Sequence, residues 1–450
     1  MPVNARRRPP GPRGWPILGL TFQVRRDPLG TMRRVAQEYG DIVRLPVALQ
    51  DRILLNHPDL IEQVLVVQQA KFHKSELTKK ITGPLLGQGL LISEGDFWRR
   101  QRRLEQPAFH RSRVNEYAAT MIESAQIHIR EWRDGEVRDV AREMMALTLD
   151  VAVRTLFGTT LPGEARHVGH AMTFLMRYQL GRQRSPLRIP ENWPTPHNRR
   201  ARRERNFLDS LVYRIISERQ AEGTDNHRND LLSLLMNAMD EDGSHMTSQQ
   251  LRDETMTLFV AGHETTAQML AWTWHMLGEN RAVETRLHEE LHQVLGGRPP
   301  AISDFARLPY LHAVMSEVLR MYPPAYVIAR TAIEPCQLGG YDFPAGSTIL
   351  MSQWVTHRDS RYYDDPDLFR PERWLEGLAN RLPAGAYFPF GDGPRRCIGQ
   401  GFAMLEAALV IGTLAQRFQF RLVPGHPVIP EPLVTLRPRH GIRMTLHTRA

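Results

Sequence analysis

The sequence predicts a mainly α fold with a small β region (α+β), built around one long helix in the core. Three observations carry this. Apolar and charged residues recur at helical spacing along most of the chain. Ser248–Leu277 is long, and its middle, Met256 to Ala271, is largely apolar, which suits a helix enclosed by protein on all sides. Strand signals are few and short, and they sit beside Gly and Pro turns.

In chain order, helical spacing predicts helices over Met32–Tyr39, Pro58–Val67, Gly95–Phe109, Arg113–Trp132, Arg138–Phe157 and Asn206–Gly223, ahead of the core helix. Ile42–Leu45 and Arg52–Asn56 suit a hairpin. Ile328–Ala332, Cys336–Leu338 and Thr348–Ser352 suit a second strand region, broken by Gly339-Gly340 and Pro344-Ala345-Gly346. Gln183–Arg205, rich in Pro and Arg, reads as a surface loop leading into a basic helix start. Tyr363 to Phe390 reads as a long irregular segment, which in a compact domain points to a functional role.

The chain has 450 residues, 42% of them hydrophobic, enough for a large core in one domain or several. It has two cysteines, Cys336 and Cys397, which form no zinc spacing and no disulfide framework. The formal charge of +9 suits nucleic acid, a membrane surface or acidic proteins. No nucleic-acid motif is present, which favours acidic proteins. The apolar run Trp15 to Leu20, behind Arg6-Arg7-Arg8-Pro9-Pro10, is too short to span a bilayer.

Cys397 stands in Phe390-Gly391-Asp392-Gly393-Pro394-Arg395-Arg396-Cys397-Ile398-Gly399. A cysteine in such a loop can be a small buried residue, or it can ligate haem iron through its sulfur. Gly391, Gly393 and Gly399 favour the second reading, because they permit tight turns and close approach to a flat ligand. Phe390 could cover the sulfur, and Arg395 could pair a propionate.

A second run, Ala261-Gly262-His263-Glu264-Thr265-Thr266, lies in the core helix, where a charged residue is costly to bury. The Thr265 hydroxyl can bond the Ala261 carbonyl four residues back and bend the helix. A plain kink with a solvent-facing Glu is the alternative. Glu317-Val318-Leu319-Arg320 places an acid and a base on one helical face, a very common pattern. Trp98-Arg99-Arg100-Gln101-Arg102-Arg103 and the cluster Arg199, Arg200, Arg202, Arg203 and Arg205 both read first as solvated basic faces.

Taken together and in this order, these runs resemble the cytochrome P-450 family of haem-thiolate monooxygenases, in its soluble bacterial form. The Cys397 run matches the family pattern Phe-x-x-Gly-x-Arg-x-Cys-x-Gly at every fixed position. The resemblance implies the family's haem-thiolate fold as a single domain over residues 1–450, with residues 1–20 a Pro/Arg-rich segment, no membrane anchor and a cytoplasmic location. It implies haem b with Cys397 as the ligand to iron. Phe390, Gly391 and Gly399 shape the cysteine loop, and Trp98, Arg102, Arg330 and Arg395 hold the propionates. Ala261 lies against the cofactor, and Thr265 and Glu264 manage the protons that dioxygen cleavage needs.

Glu317, Arg320 and Arg373, the last from Pro371-Glu372-Arg373-Trp374, form a structural network. Trp374 stands where Phe is more common. The pocket is expected near Leu90 to Ile92, Leu258, Ala261 and Tyr326 to Ile328. Arg99, Arg100 and Arg103 are expected to face outward and dock an acidic ferredoxin or flavodoxin served by an NAD(P)H reductase, since no such module is legible after Cys397. The expected reaction puts one atom of O2 into a fatty acid, terpenoid or carotenoid-like molecule. A peroxide-driven enzyme, a haem sensor and a haem-thiolate isomerase are the rivals.

Overall fold

The longest helix, Ser248–Glu279, is started by a reciprocal cap. Thr247 Oγ1 accepts from the Gln250 N–H (3.2 Å), and Gln250 Oε1 accepts from the Thr247 N–H (2.7 Å). Its composition then determines its surroundings. From Leu251 to Trp274 every residue is buried except Ala261, Gly262 and Thr265. The computed structural model describes residues 8–47, 50–161, 163–185, 189–222, 230–239 and 243–449. Arg6, Arg7, Gly223 and residues 186–188 of the expected Gln183–Arg205 loop lie outside them.

The described residues fall into two compact units. The larger comprises residues 80–315 and 398–450. Here the core helix packs most extensively on Val140–Leu156, and also on Gln400–Arg417. The Thr148 hydroxyl, on the first of these, donates to the His263 carbonyl (3.0 Å). A three-stranded antiparallel sheet, Val137–Asp139, Arg443–Thr448 and Phe418–Leu422, and the hairpin of Pro430–Pro432 with Leu436–Pro438 complete this unit.

The smaller unit comprises residues 1–79 and 316–397. Its sheet runs in the order Ile42–Val47, Gln50–Leu55, Thr348–Met351, Ile328–Ala332, Phe72–Lys74. The second and third strands are parallel, with Ile53 opposite Ile349 and Leu55 opposite Met351, and these four side chains are buried. The hairpin Cys336–Leu338/Tyr341–Phe343 turns on Gly339 (φ 54°) and Gly340 (φ 79°), a left-handed pair that glycine adopts without cost.

The Ile328–Ala332 and Cys336–Leu338 strands fall where the sequence placed them, and the others within two residues. Several helices differ. Arg113–Trp132 is broken into Arg111–Glu116 and Ala118–His128. Gly95–Phe109 tightens after Glu105 into a 3₁₀ turn at Pro107, which lacks the N–H that an α-helix would use. Val137–Asp139 is a strand, because Arg443–Thr445 pairs with it, and the helix starts only at Val140. Asn206–Gly223 begins ten residues earlier, at Pro196, capped by Thr195, so much of the expected loop is helix. Glu76–Leu86, Ala165–Arg184 and Arg281–Leu295 are helices that the reading above did not mark. Residues 363–390 are irregular apart from the single turns Glu372–Leu375 and Leu378–Arg381. No helix of the described residues is long and apolar enough to cross a membrane.

Candidate active site

The two cysteines occupy opposite environments. Cys336 is 6% exposed, lies on a paired strand and belongs to the apolar cluster around Phe343, Ile349 and Phe388, and burial pushes its thiol pKa up. Cys397 is exposed in a loop. That loop is closed by three backbone bonds: Gly391 N–H to Phe388 O (2.9 Å), Arg396 N–H to Gly393 O (3.0 Å) and Cys397 N–H to Phe390 O (3.0 Å). Gly393 (φ 65°) cannot be replaced without a clash, since a Cβ there would lie 2.1 Å from the Leu65 carbonyl oxygen. The loop is a rigid presentation of one accessible sulfur.

Behind it stands a buried charge network. Glu317 and Arg320, near the end of helix Pro309–Met321, are fully buried and bonded side-on: Arg320 Nη2 to Oε1 (2.8 Å) and Nε to Oε2 (2.9 Å). Arg373 Nε donates to Glu317 Oε1 (3.0 Å), as does the Arg370 N–H (3.0 Å). Trp374 Nε1 donates to Glu317 Oε2 (2.8 Å). One carboxylate thus takes five donors from two cations, an indole and a main-chain amide. Arg320 spends its other donors on the carbonyls of His357, Pro366 and Leu368, and Arg373 on those of Asp364, Asp365 and Leu368.

From there the bonds run to the cysteine loop. Tyr363 Oη donates to Ala386 O (2.9 Å), Tyr387 Oη to Ser316 O (3.0 Å), and the Phe388 N–H to His357 Nε2 (3.0 Å). Burial, with Arg320 and Arg358 nearby, lowers the His357 pKa to about 3, so its ring stays neutral and able to accept.

In the larger unit, the Thr265 hydroxyl donates to Ala261 O (2.8 Å) and the Thr266 hydroxyl to Gly262 O (3.2 Å). The helix runs unbroken through both bonds. Ala261, Gly262 and Thr265 share one face, and they are its three accessible residues between 251 and 274. Small side chains on an otherwise enclosed helix leave room for a ligand there, so this face fits a flat cofactor with a small molecule above it.

Glu264 does not face solvent. It is buried, with Oε1 accepting from Arg437 (Nη2 at 2.6 Å) and from the Thr435 hydroxyl, while Oε2 has no partner among the described residues. His263 is buried against Phe259, with its pKa lowered by that burial. Glu406, from Gln400–Arg417, is buried, and that burial holds it well above the usual carboxylate range.

Trp98 and Arg102 line an open groove of about 580 Å³ together with Arg99, Arg103, His110 and Arg113. Arg99 and Arg103 are exposed, and Arg99 pairs with Asp96. Arg100 departs from expectation: it is half-buried and reaches Ser244 Oγ (3.4 Å). Arg330 is buried on strand Ile328–Ala332, Arg395 is half-buried in the turn before Cys397, and Phe390 and Gly399 are half-buried. Leu90, Ile92 and Leu258 are buried, and Tyr326, Val327 and Ile328 half-buried. Arg437, Thr435 and His357 escaped the sequence reading, because each reaches its partner across a long stretch of chain that no local spacing encodes.

A model of the cytochrome P450 family matches residues 9–445. The chain belongs to the cytochrome P450 family. This P450 is 38% identical to cyclooctatin synthase of Streptomyces melanosporofaciens, over 94% of its own length and 92% of the relative's. It is 38% identical to cyclooctat-9-en-7-ol 5-monooxygenase of the same organism, over 91% and 89%. It is 33% identical to pentalenene oxygenase of Streptomyces avermitilis, over 96% of each chain. It is accordingly a monooxygenase that uses haem with a cysteine thiolate on the iron.

Trp374 gives this P450 a donor that a Phe at that position lacks. Trp374→Phe keeps a ring and removes one buried bond to a carboxylate, so we expect a loss of roughly 1.5–3 kcal/mol. Urea unfolding of the haem-loaded protein measures it. An unchanged midpoint would mean that the indole bond contributes nothing.

Proposed function

We propose that this P450 inserts one atom of O2 into a terpenoid hydrocarbon or alcohol, with Cys397 as the thiolate ligand. The observation that carries it is the accessible Ala261–Gly262–Thr265 face on a helix otherwise enclosed for six turns. The terpenoid class is supported by the relatives, one named for pentalenene and another for cyclooctat-9-en-7-ol. Cys397 is the proposed ligand because its loop presents it, whereas Cys336 is sealed in a sheet core. Trp98, Arg102, Arg330 and Arg395 would pair the propionates.

Haem, when bound, supplies O2 activation. The chain's own groups do the rest. Ala261 and Gly262 leave space above the ring. Thr265 donates its hydroxyl proton to Ala261 O, so its oxygen is left as an acceptor that holds a water in place. Glu264 Oε2, the oxygen of the Arg437 pair that has no partner among the described residues, is the group available to pass a proton toward that water. Leu90, Ile92 and Leu258 exclude bulk water and favour an apolar substrate. Electrons come singly from a separate acidic ferredoxin or flavodoxin with its NAD(P)H reductase, docked at the exposed Arg99 and Arg103, in the cytoplasm.

The test uses purified haem-loaded protein with pentalenene and cyclooctat-9-en-7-ol. We expect a low-to-high-spin shift with at least one of them, and, with a surrogate ferredoxin and reductase, O2 consumption matched to product. Thr265→Ala should bind haem normally yet lose several-fold in coupling, the missing oxygen appearing as hydrogen peroxide. A shift with fatty acids alone overturns the terpenoid reading. Wild-type coupling in Thr265→Ala overturns the role given to its hydroxyl.

A further inference from the structure

Arg437, the partner of Glu264, also lines an open groove of about 700 Å³ in the larger unit. Strand Val137–Asp139, helices Val140–Leu156 and Ala165–Arg184, and the strand Leu436–Pro438 with the turn after it wall this groove, and Gln268 of the core helix lines it as well. Arg166, His170, Thr173 and Arg177 reach it from one stripe of Ala165–Arg184, at spacings of four, three and four.

The walls are unequal in charge. Among the described residues six arginines line the groove, against the acids Glu136, Asp139 and Glu143. Three of the six are paired: Arg138 with Glu136 (2.8 Å) and Glu143 (3.0 Å), Arg177 with Glu431 (2.8 Å), and Arg437 with Glu264 (2.6 Å). Arg142, Arg166 and Arg439 are exposed and make no side-chain hydrogen bond or ion pair among the described residues. Asp139 is the lining acid without a cation; it accepts from the N–H groups of Arg142 (3.4 Å) and Ile442 (3.0 Å). Three free cations against one such acid leave an excess of two positive charges.

The floor is polar and buried. Arg437 is 7% exposed. Its Nε donates to Glu264 (3.1 Å), Nη2 meets Glu264 and the Met176 sulfur (3.5 Å), and Nη1 donates to Thr173 Oγ1 (2.9 Å). A guanidinium has five N–H bonds, so the second one on Nη1 is left without a partner among the described residues. Gln268 is 3% exposed, and its Oε1 is buried with no partner among the described residues. Buried polar groups are normally hydrogen-bonded. A face of merely solvated arginines has no such floor.

We propose that this groove is a binding site for the dianionic phosphate of a small phosphorylated organic molecule. Arg142, Arg166 and Arg439 supply the charge, and Arg437 Nη1 and the Gln268 amide supply hydrogen bonds below it. The charges match, since a phosphate monoester carries about −1.5 to −2 at pH 7. The volume exceeds what phosphate alone would fill, and Val137, Met145, Ala146 and Pro438 offer apolar wall to an organic group. The site does not depend on the terpenoid reading.

Isothermal titration calorimetry on the haem-loaded protein tests this, with phenyl phosphate and inorganic phosphate as probes in a phosphate-free buffer of fixed ionic strength. We expect one saturable site per chain, with phenyl phosphate bound more tightly. Arg166→Ser and Arg439→Ser should each weaken it about tenfold, the worth of one hydrogen bond between charged groups. Gln268→Leu changes no charge, yet should weaken it about threefold. An unchanged carbonyl spectrum shows that each variant is folded. No saturable binding by wild type overturns the site, and that titration decides even if a variant fails to fold. Unchanged affinity in both arginine variants overturns it too. Unchanged affinity in Gln268→Leu overturns the floor and reduces the groove to a basic surface. Equal affinity for the two probes overturns the organic group and makes free phosphate the ligand.

Discussion

The Cys397→Ala protein should lose the far red-shifted Soret band of the ferrous carbonyl complex, and Cys336→Ala should keep it. The chain has two sulfurs able to serve as a thiolate, and their surroundings differ. Cys336 sits in a sheet core with its thiol disfavoured from ionising. Moving it to a ligand would require breaking the Cys336–Leu338/Tyr341–Phe343 pairing and exposing the cluster behind it. Cys397 needs no such change, because three backbone bonds and Gly393 already hold its loop open. Without that sulfur the haem would lack the thiolate that this loop would supply, and oxygenation should fall below detection. A Cys397→Ala protein that kept the band would overturn the ligand assignment.

Glu317→Ala should yield a protein that neither retains haem nor unfolds cooperatively at the wild-type midpoint. The glutamate neutralises Arg320 and Arg373, both buried, and accepts five hydrogen bonds. Removing one partner of a buried pair leaves an uncompensated charge, at roughly 3–5 kcal/mol. Two arginines are stranded here. A typical domain has only about 5–15 kcal/mol to lose. Arg320→Ala should do similar damage, since it also releases three carbonyls of residues 357–368. Haem content per protein and urea midpoints with and without haem measure both variants. Normal haem content with a normal midpoint would show that the network does not support the cysteine loop.

The sequence carried the cysteine loop, the core helix, the Glu-x-x-Arg helix and the strands at Ile328 and Cys336 because each is a local pattern. Spacing along the chain is the same physics as spacing on the element. What it missed was decided across the chain. Nothing near Glu264 announces Arg437, because the pair forms only when the last strands reach the core helix. Nothing near Arg138 announces a strand, because its ladder partner is Met444. Trp374 looked like a mild departure; its indole N–H proves to be a fifth donor to Glu317. Arg100 stands in a run of arginines whose identical chemistry hides which one turns inward.

The arginines of the buried network hydrogen-bond the irregular segment by its main chain. Every hydrogen-bond acceptor of Arg320 and Arg373 within residues 357–368 is a backbone carbonyl, and Arg320 also lies over the Tyr363 ring. A carbonyl is the same in every residue type, so these hydrogen bonds do not depend on the exposed side chains, although the buried Tyr363 and His357 are needed for their own bonds. The exposed Asp364 and Leu368 can therefore change without disturbing the path that leads to Cys397, whereas Asp367 is tied to Arg33 and Asp365 holds a left-handed backbone (φ 46°). The segment thus combines a main chain held from within with a few outer positions that can change while the metal's ligand stays where it is.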